Sequence, residues 1–203
     1  MRLYHRNGSR SERVLWMLGE VGAPHELAAV TQADQASPAH LRRHPLGRVP
    51  VLADAEGFVF ESAAICLHLA DLHPDAALLP PPGSHERALV YQWAFFAVTE
   101  IEAPLADVSY GTESGDGRGA DVRYPQPSPE QVTAATVRFI DAARVVEHAL
   151  VPYDYLVANR FGVADVVVGS VLAWADDVGL LGQESPRLRA YLERLRGRPA
   201  YSY

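Results

Sequence analysis

The chain has 203 residues, which can bury a sizeable core and exceed the commonest single-domain length of about 100 to 150 residues, so one large or two small domains fit. Hydrophobic residues at 48% and charged residues at 21% exclude a disordered chain, and a net charge of -7 argues against wholesale nucleic-acid binding, which relies on basic surface to displace counterions. With Cys66 as the single cysteine, an intramolecular disulfide and a thiolate-built zinc site are both excluded, and a reducing cytoplasm fits.

In chain order, residues 2–5 (RLYH) read as a short strand and Asn7-Gly8-Ser9 as a turn. Residues 11–22 follow as a helix carrying Val14, Leu15, Leu18 and Val21 at helical spacing, which Gly22 and Pro24 stop. HELAAV (25–30) is a second strand, which completes a βαβ unit with parallel strands. VPVLAD (49–54) and FVFE (58–61) are strands flanking the turn residues Ala55, Glu56 and Gly57, and 62–73 returns to helical spacing. This order, βαβ then ββα, is the thioredoxin-type arrangement.

Pro80, Pro81 and Pro82 interrupt the segment 74–83, since proline neither continues a helix nor donates to a strand ladder. The boundary is expected there, giving a thioredoxin-like domain over 1–76 and an all-helical domain over 84–203. Helices are predicted over 85–105, 129–151, 163–181 and 186–197 from apolar spacings of three and four. Ser128 with Pro129 and Gln131 reads as a capping box, Ser84 and Ser185 as further caps, and Gly162 as a cap with Asp165 near the helix start. The Gly- and Pro-rich stretch 110–128 reads as a mobile loop. No run approaches the roughly 20 apolar residues of a membrane span, and MRLYHRNGSR lacks the apolar core of a signal peptide, so a cytoplasmic location is expected.

Three separated stretches carry chemistry. In HPLGRVPVL (44–52), Pro50 has no amide hydrogen and Val49-Pro50 is a bond at which a cis peptide is cheap. Read alone, it is a strand beginning with proline. In ESAAI (61–65), Ser62 opens a helix whose first amides are unpaired and whose dipole favours an anion. Read alone, that pair is a helix cap. NGSRSERV (7–14) begins the first helix and holds no cysteine where thioredoxins carry a reactive pair, so exchange through a protein dithiol is excluded.

With the helical second domain, these stretches resemble the cytosolic glutathione S-transferases, in particular bacterial, serine-type, theta- or nu-like members. The resemblance implies that Pro50 is cis and that Val49 pairs with the cysteine backbone of glutathione. It places Arg48 beside a glutathione carboxylate, and Glu61 and Ser62 on the γ-glutamyl end. A serine hydroxyl at the first helix would donate to the glutathione sulfur and favour the thiolate. Ser9 and Ser11 compete for that role. Ser9 is favoured because it precedes Arg13 by four residues, although Ser9 with Glu12 also fits a capping box, and Asn7, Arg10 or the bare helix start are further options. Arg10 stands where beta-class members have a cysteine. Arg10, Arg13 and Arg48 could make the pocket locally positive.

By the same resemblance the electrophile pocket draws on Asn7, Asp107 and Tyr110, with His5 and Phe96 as further candidates. The expected activity is conjugation of the glutathione thiolate to a small hydrophobic electrophile, with glutathione as co-substrate and no metal. Peroxide reduction, dehalogenation or isomerisation on the same site are alternatives, as is a non-catalytic association module. A homodimer is implied, with no nucleic-acid or membrane partner. The histidines offer no metal spacing, since His68 and His73 do not share a helix face.

Overall fold

The computed structural model describes residues 1–111, 126–182 and 184–201, so most of the loop expected over 110–128 lies outside the described residues. They fall into two compact units, Met1–Leu79 with Pro199–Tyr203, and Pro80–Arg198.

The first unit runs β1 (Arg2–His5), α1 (Ser11–Glu20), β2 (Glu26–Ala29), the single turns α2 (Gln32–Gln35) and α3 (Pro38–Leu41), β3 (Val51–Ala53), β4 (Phe58–Phe60) and α4 (Ser62–Leu72). The sheet order is β2-β1-β3-β4, with β1 parallel to β2 and antiparallel to β3, and β3 antiparallel to β4. This is a thioredoxin-like sheet. Leu3, Val51 and Leu52 from the strands meet Val14, Met17 and Leu18 of α1 and Ile65 and Leu69 of α4, all with no exposed surface. The α1 apolar stripe therefore faces the sheet. The helix ends where Gly22 takes a φ of 63°, letting the Ala23 amide bond Leu18 O and the Gly22 amide bond Gly19 O, each at 3.1 Å.

The second unit is helical: α5 (His85–Phe96), α6 (Glu102–Gly111), α7 (Pro129–Ala149), α8 (Val163–Asp177) and α9 (Pro186–Arg196). The helix expected over 85–105 is continuous in path but widens to a π-helical stretch at Ala97–Ile101. Pro104 explains it, because its missing amide frees the Glu100 carbonyl and its ring crowds that carbonyl out of the α ladder. α8 is buried on all sides over most of its length, which makes it the central helix of the unit.

Two expectations change. Ser128 and Gln131 do form a capping box and Ser84 caps α5, but Ser185 sits at the α9 N-cap with φ -113° and ψ 64° and its hydroxyl makes no capping bond. The tail does not join the helices as an extent of 84–203 expects. Tyr201 stacks edge-on against Trp16 with ring centroids 4.9 Å apart, and Ala200 lies so near Gly19 that a Cβ there would come within 3.2 Å of it. Burying the Trp16 indole is what draws the tail to the first unit.

Candidate active site

Strand register brings the three chemical stretches to one end of the sheet. Tyr4 of β1 pairs with Val51 of β3, and Val51 pairs with Phe60 of β4. Because β3 runs opposite to its two neighbours, the pairing of β1 with β3 ends at Tyr4, the chain enters β3 at Val51 and it leaves β4 after Phe60, all at the same end of the sheet. The residues flanking those points are 5–11, 48–50 and 61–62. An eleven-residue separation between Pro50 and Glu61 is thus the length of one hairpin.

The approach to β3 is held from beneath. His40, 1% exposed, bonds the Arg48 carbonyl through Nε2 at 2.9 Å, and His44 Nδ1 accepts the Leu46 amide at 3.1 Å. Gly47 has φ 63° and lies so close to α2 that a Cβ would fall 2.3 Å from the Gln35 carbonyl oxygen, so only glycine fits. Val49-Pro50 is cis. Pro50 is buried, Val49 is half-buried and Arg48 is exposed, so the Arg48 side chain stands in solvent beside a fixed backbone.

At the exit of β4, Glu61 has φ 70° and ψ 110°, a strained conformation for a residue with a Cβ. It swings the chain so that α4 begins at once with Ser62. The Glu61 side chain makes no capping bond and is exposed, leaving its carboxylate available beside the unpaired first amides of α4. Ser62 is 7% exposed, and its Oγ accepts from Arg13 Nη1 at 2.8 Å.

At the start of α1 the hydroxyls form a closed chain. The Arg6 amide donates to Ser11 Oγ at 3.3 Å, Ser11 and Ser9 share a 2.6 Å contact, and Ser9 donates to the Arg6 carbonyl at 2.6 Å. A carbonyl only accepts, so Ser9 spends its single proton there and Ser11 is the donor in the shared contact. Ser11 has no exposed surface, while Ser9 is partly exposed. The capping box expected of Ser9 and Glu12 forms differently. Glu12 Oε1 accepts the Gly8 amide at 2.7 Å rather than that of Ser9, because the helix starts one residue later than that box requires, with Arg10 as an N-cap that makes no side-chain capping bond.

Both units match known family descriptions. Residues 1–71 match the glutathione S-transferase N-terminal domain and residues 129–194 the glutathione S-transferase C-terminal domain. The chain belongs to the glutathione S-transferase family. Glutathione S-transferase 1 of Schizosaccharomyces pombe is 29% identical over 97% of this chain and 90% of its own length. Among solved structures, a ternary complex of BphK, a bacterial transferase, aligns with TM-score 0.85 and 28% identity over 99% of this chain and 96% of that one. A beta-class transferase of Sphingomonas chungbukensis aligns with TM-score 0.83 and 27% identity, covering 99% and 95%.

Position 10 of this transferase-family chain is an arginine, and its one cysteine lies in α4. Cys66 is buried in α4, its thiol pushed up to about 12 by burial, so it stays protonated and unreactive. Asn7 is exposed at the turn after β1. Asp107 and Tyr110 belong to α6 of the second unit, where Asp107 pairs with Arg138 of α7 at 3.1 Å, both side chains about half or more exposed. Phe96 packs edge-on against Trp93 at 5.6 Å. Among the described residues no group of His, Cys, Asp and Glu is placed to hold a metal, and no helix is long and apolar enough to cross a membrane.

One residue of the candidate site, His40, escaped the sequence reading, and a second, Arg13, was read there only as a source of positive charge and as a marker for Ser9. His40 acts through a backbone carbonyl, which leaves no signature in side-chain patterning. Arg13 left a trace: it lies one turn before Met17, on the buried stripe of α1, where an arginine is out of place unless bonded.

Proposed function

We propose that this protein binds glutathione at the edge of the first unit and activates its sulfur with Ser9 for attack on a small hydrophobic electrophile. The observation that carries this reading is the register Tyr4, Val51, Phe60, which sets the Val49 backbone, the Glu61-Ser62 helix start and the Ser9 turn on one edge. In the proposed complex Val49 offers its amide and carbonyl to the glutathione cysteine as a strand would. Ser62 and the free amides of α4 receive the γ-glutamyl carboxylate, Glu61 accepts from its ammonium, and Arg48 faces the glycyl carboxylate.

Ser9 is the hydroxyl that reaches the sulfur, since Ser11 is fully buried behind it. Loss of the thiol proton to solvent water leaves a thiolate, which draws the Ser9 hydroxyl hydrogen bond from the Arg6 carbonyl to the sulfur. Ser11 remains the donor to Ser9. The site is thus serine-type, and Arg10 leaves no cysteine for beta-class chemistry. The thiolate then forms a carbon–sulfur bond as a leaving group departs or a double bond takes up a proton. Asn7, Asp107 and Tyr110 are proposed for the electrophile side, and the same thiolate would serve peroxide reduction, dehalogenation or isomerisation. The protein is proposed to work as a homodimer in the cytoplasm.

Calorimetric titration with glutathione and the ultraviolet absorbance of the bound thiolate test this. Wild type should bind and show thiolate at neutral pH. Ser9→Ala should still bind but lose the thiolate signal and about a hundredfold in conjugation rate with a chloro-nitroaromatic probe. Absence of glutathione binding to wild type sinks the reading, and an undiminished thiolate in Ser9→Ala moves the activating role away from Ser9.

A further inference from the structure

We infer that the Asn7-Gly8 step, at the turn after β1, is a self-modification site at which Asn7 deamidates with the Glu12 carboxylate as base. Asparagine reacts in this way when the next backbone nitrogen attacks its side-chain amide carbon. A following glycine favours the attack, because it has no Cβ to crowd that nitrogen. The Asn7 side chain is exposed and makes no hydrogen bond among the described residues, so nothing holds its amide away from the chain. The attacking amide, that of Gly8, donates to Glu12 Oε1 at 2.7 Å. An amide nitrogen is nucleophilic only without its proton, and a carboxylate at hydrogen-bond distance is placed to take it.

The other asparagine of the chain, Asn159, is held in the opposite way. Its Oδ1 accepts the Asp154 amide at 2.7 Å and the Tyr155 amide at 3.3 Å. The residue after it is Arg160 rather than glycine, and the Arg160 amide donates to the Val157 carbonyl at 3.0 Å. There the side chain is fixed, and the neighbouring amide faces a carbonyl in place of a carboxylate base.

Water is the only co-reactant. The Gly8 nitrogen passes its proton to Glu12 and bonds to Asn7 Cγ, and the side-chain nitrogen leaves as ammonia with the proton that Glu12 returns. Water then opens the cyclic succinimide at either carbonyl, giving aspartate or, with the chain rerouted through the side chain, isoaspartate. Either product sets a carboxylate two residues before Ser9, and isoaspartate also lengthens the backbone by a methylene. The consequence for activity rests on the glutathione reading above: the new negative charge opposes the thiolate, and the longer backbone disturbs the turn that sets Ser9 on the Arg6 carbonyl.

Ageing the purified protein at neutral pH, with peptide mapping by mass spectrometry and an isoaspartate methylation assay, tests this in wild type and Glu12→Gln. Asn7 should convert at least about tenfold faster than Asn159 in wild type. Glu12→Gln can still accept the Gly8 amide but takes no proton, and should slow Asn7 conversion by about tenfold or more. Aged wild type should hold about threefold less bound thiolate than fresh protein. An Asn7 that stays intact, or converts no faster than Asn159, overturns the inference, and this comparison stands even if Glu12→Gln does not fold. Conversion undiminished in Glu12→Gln overturns the role of Glu12 as base, and unchanged thiolate in converted protein overturns the consequence for activity. A fresh wild type that binds no glutathione overturns the glutathione reading, while the mass gain at Asn7 decides the modification separately.

Discussion

A serine hydroxyl has one proton, and in the ligand-free protein Ser9 gives it to the Arg6 carbonyl at 2.6 Å. The proposed activation by Ser9 would therefore require an exchange of partners, which Ser11 would influence because it already fills a lone pair of Ser9. Ser11→Ala removes that donor and also strands the Arg6 amide. We expect it to cost about 1 to 2 kcal/mol in a urea unfolding series and to reduce bound thiolate by less than Ser9→Ala does. A thiolate loss as large as that of Ser9→Ala would mean that Ser11 touches the sulfur. Gly47 is the stricter position: Gly47→Ala places a Cβ on the Gln35 carbonyl at positive φ, and at least about 2 kcal/mol of lost stability is expected in the same series. The sequence located both serines but could not direct their protons. That direction depends on a turn whose shape follows from Gly8 at φ 67° and on a backbone carbonyl that no side-chain pattern marks.

Helices were legible where side chains cap them and obscure where backbone does. Ser84 and Ser128 capped as their types suggest, since a hydroxyl one residue before a helix has little else to do. Ser185 failed because its ψ of 64° takes the hydroxyl out of line with the α9 amides. The start of α8 shows a cap doing more than its motif says. Gly162 brings no side chain, yet Asp165 accepts the Gly162 amide at 2.9 Å, the Leu156 amide at 3.0 Å and the Tyr191 hydroxyl at 2.7 Å. One carboxylate thereby joins the α8 start, the preceding loop and α9.

Burial pushes the Asp165 carboxyl up to about 6, against the hydrogen bonds that favour its ionised form. With the folded value above the unfolded one, the native state holds the extra proton between about pH 4 and 6. Stability from this group is thus present at low pH and lost as pH rises through about 6. Asp165→Asn does not titrate, so the Tm gap between wild type and this variant should widen on going from about pH 7.5 to about pH 5. A gap that narrows over the same range contradicts the assignment. Asp165→Ala leaves three donors without an acceptor, and a loss of at least about 3 kcal/mol is expected.

At the scale of the whole molecule, strand order followed from the sequence because βαβ handedness and a short hairpin leave few alternatives, and β2-β1-β3-β4 is the result. The return of the tail to the first unit did not, because the pairing of Tyr201 with Trp16 joins residues from opposite ends of the chain and neither position is periodic with anything near it. That pairing has a measurable consequence. Trp16 lies on α1, whose start carries Ser9, and it has no exposed surface. Tyr201→Ala removes an edge-on aromatic partner worth about 0.5 to 1.5 kcal/mol beyond its buried area. The loss falls on local opening of α1 rather than on the helical unit, because Tyr201 groups with the first unit. Amide hydrogen exchange should therefore accelerate about tenfold in α1, with α8 amides exchanging at the wild-type rate. Equal acceleration in both helices would show that the tail supports the molecule globally and not the unit on which the proposed thiol site is built.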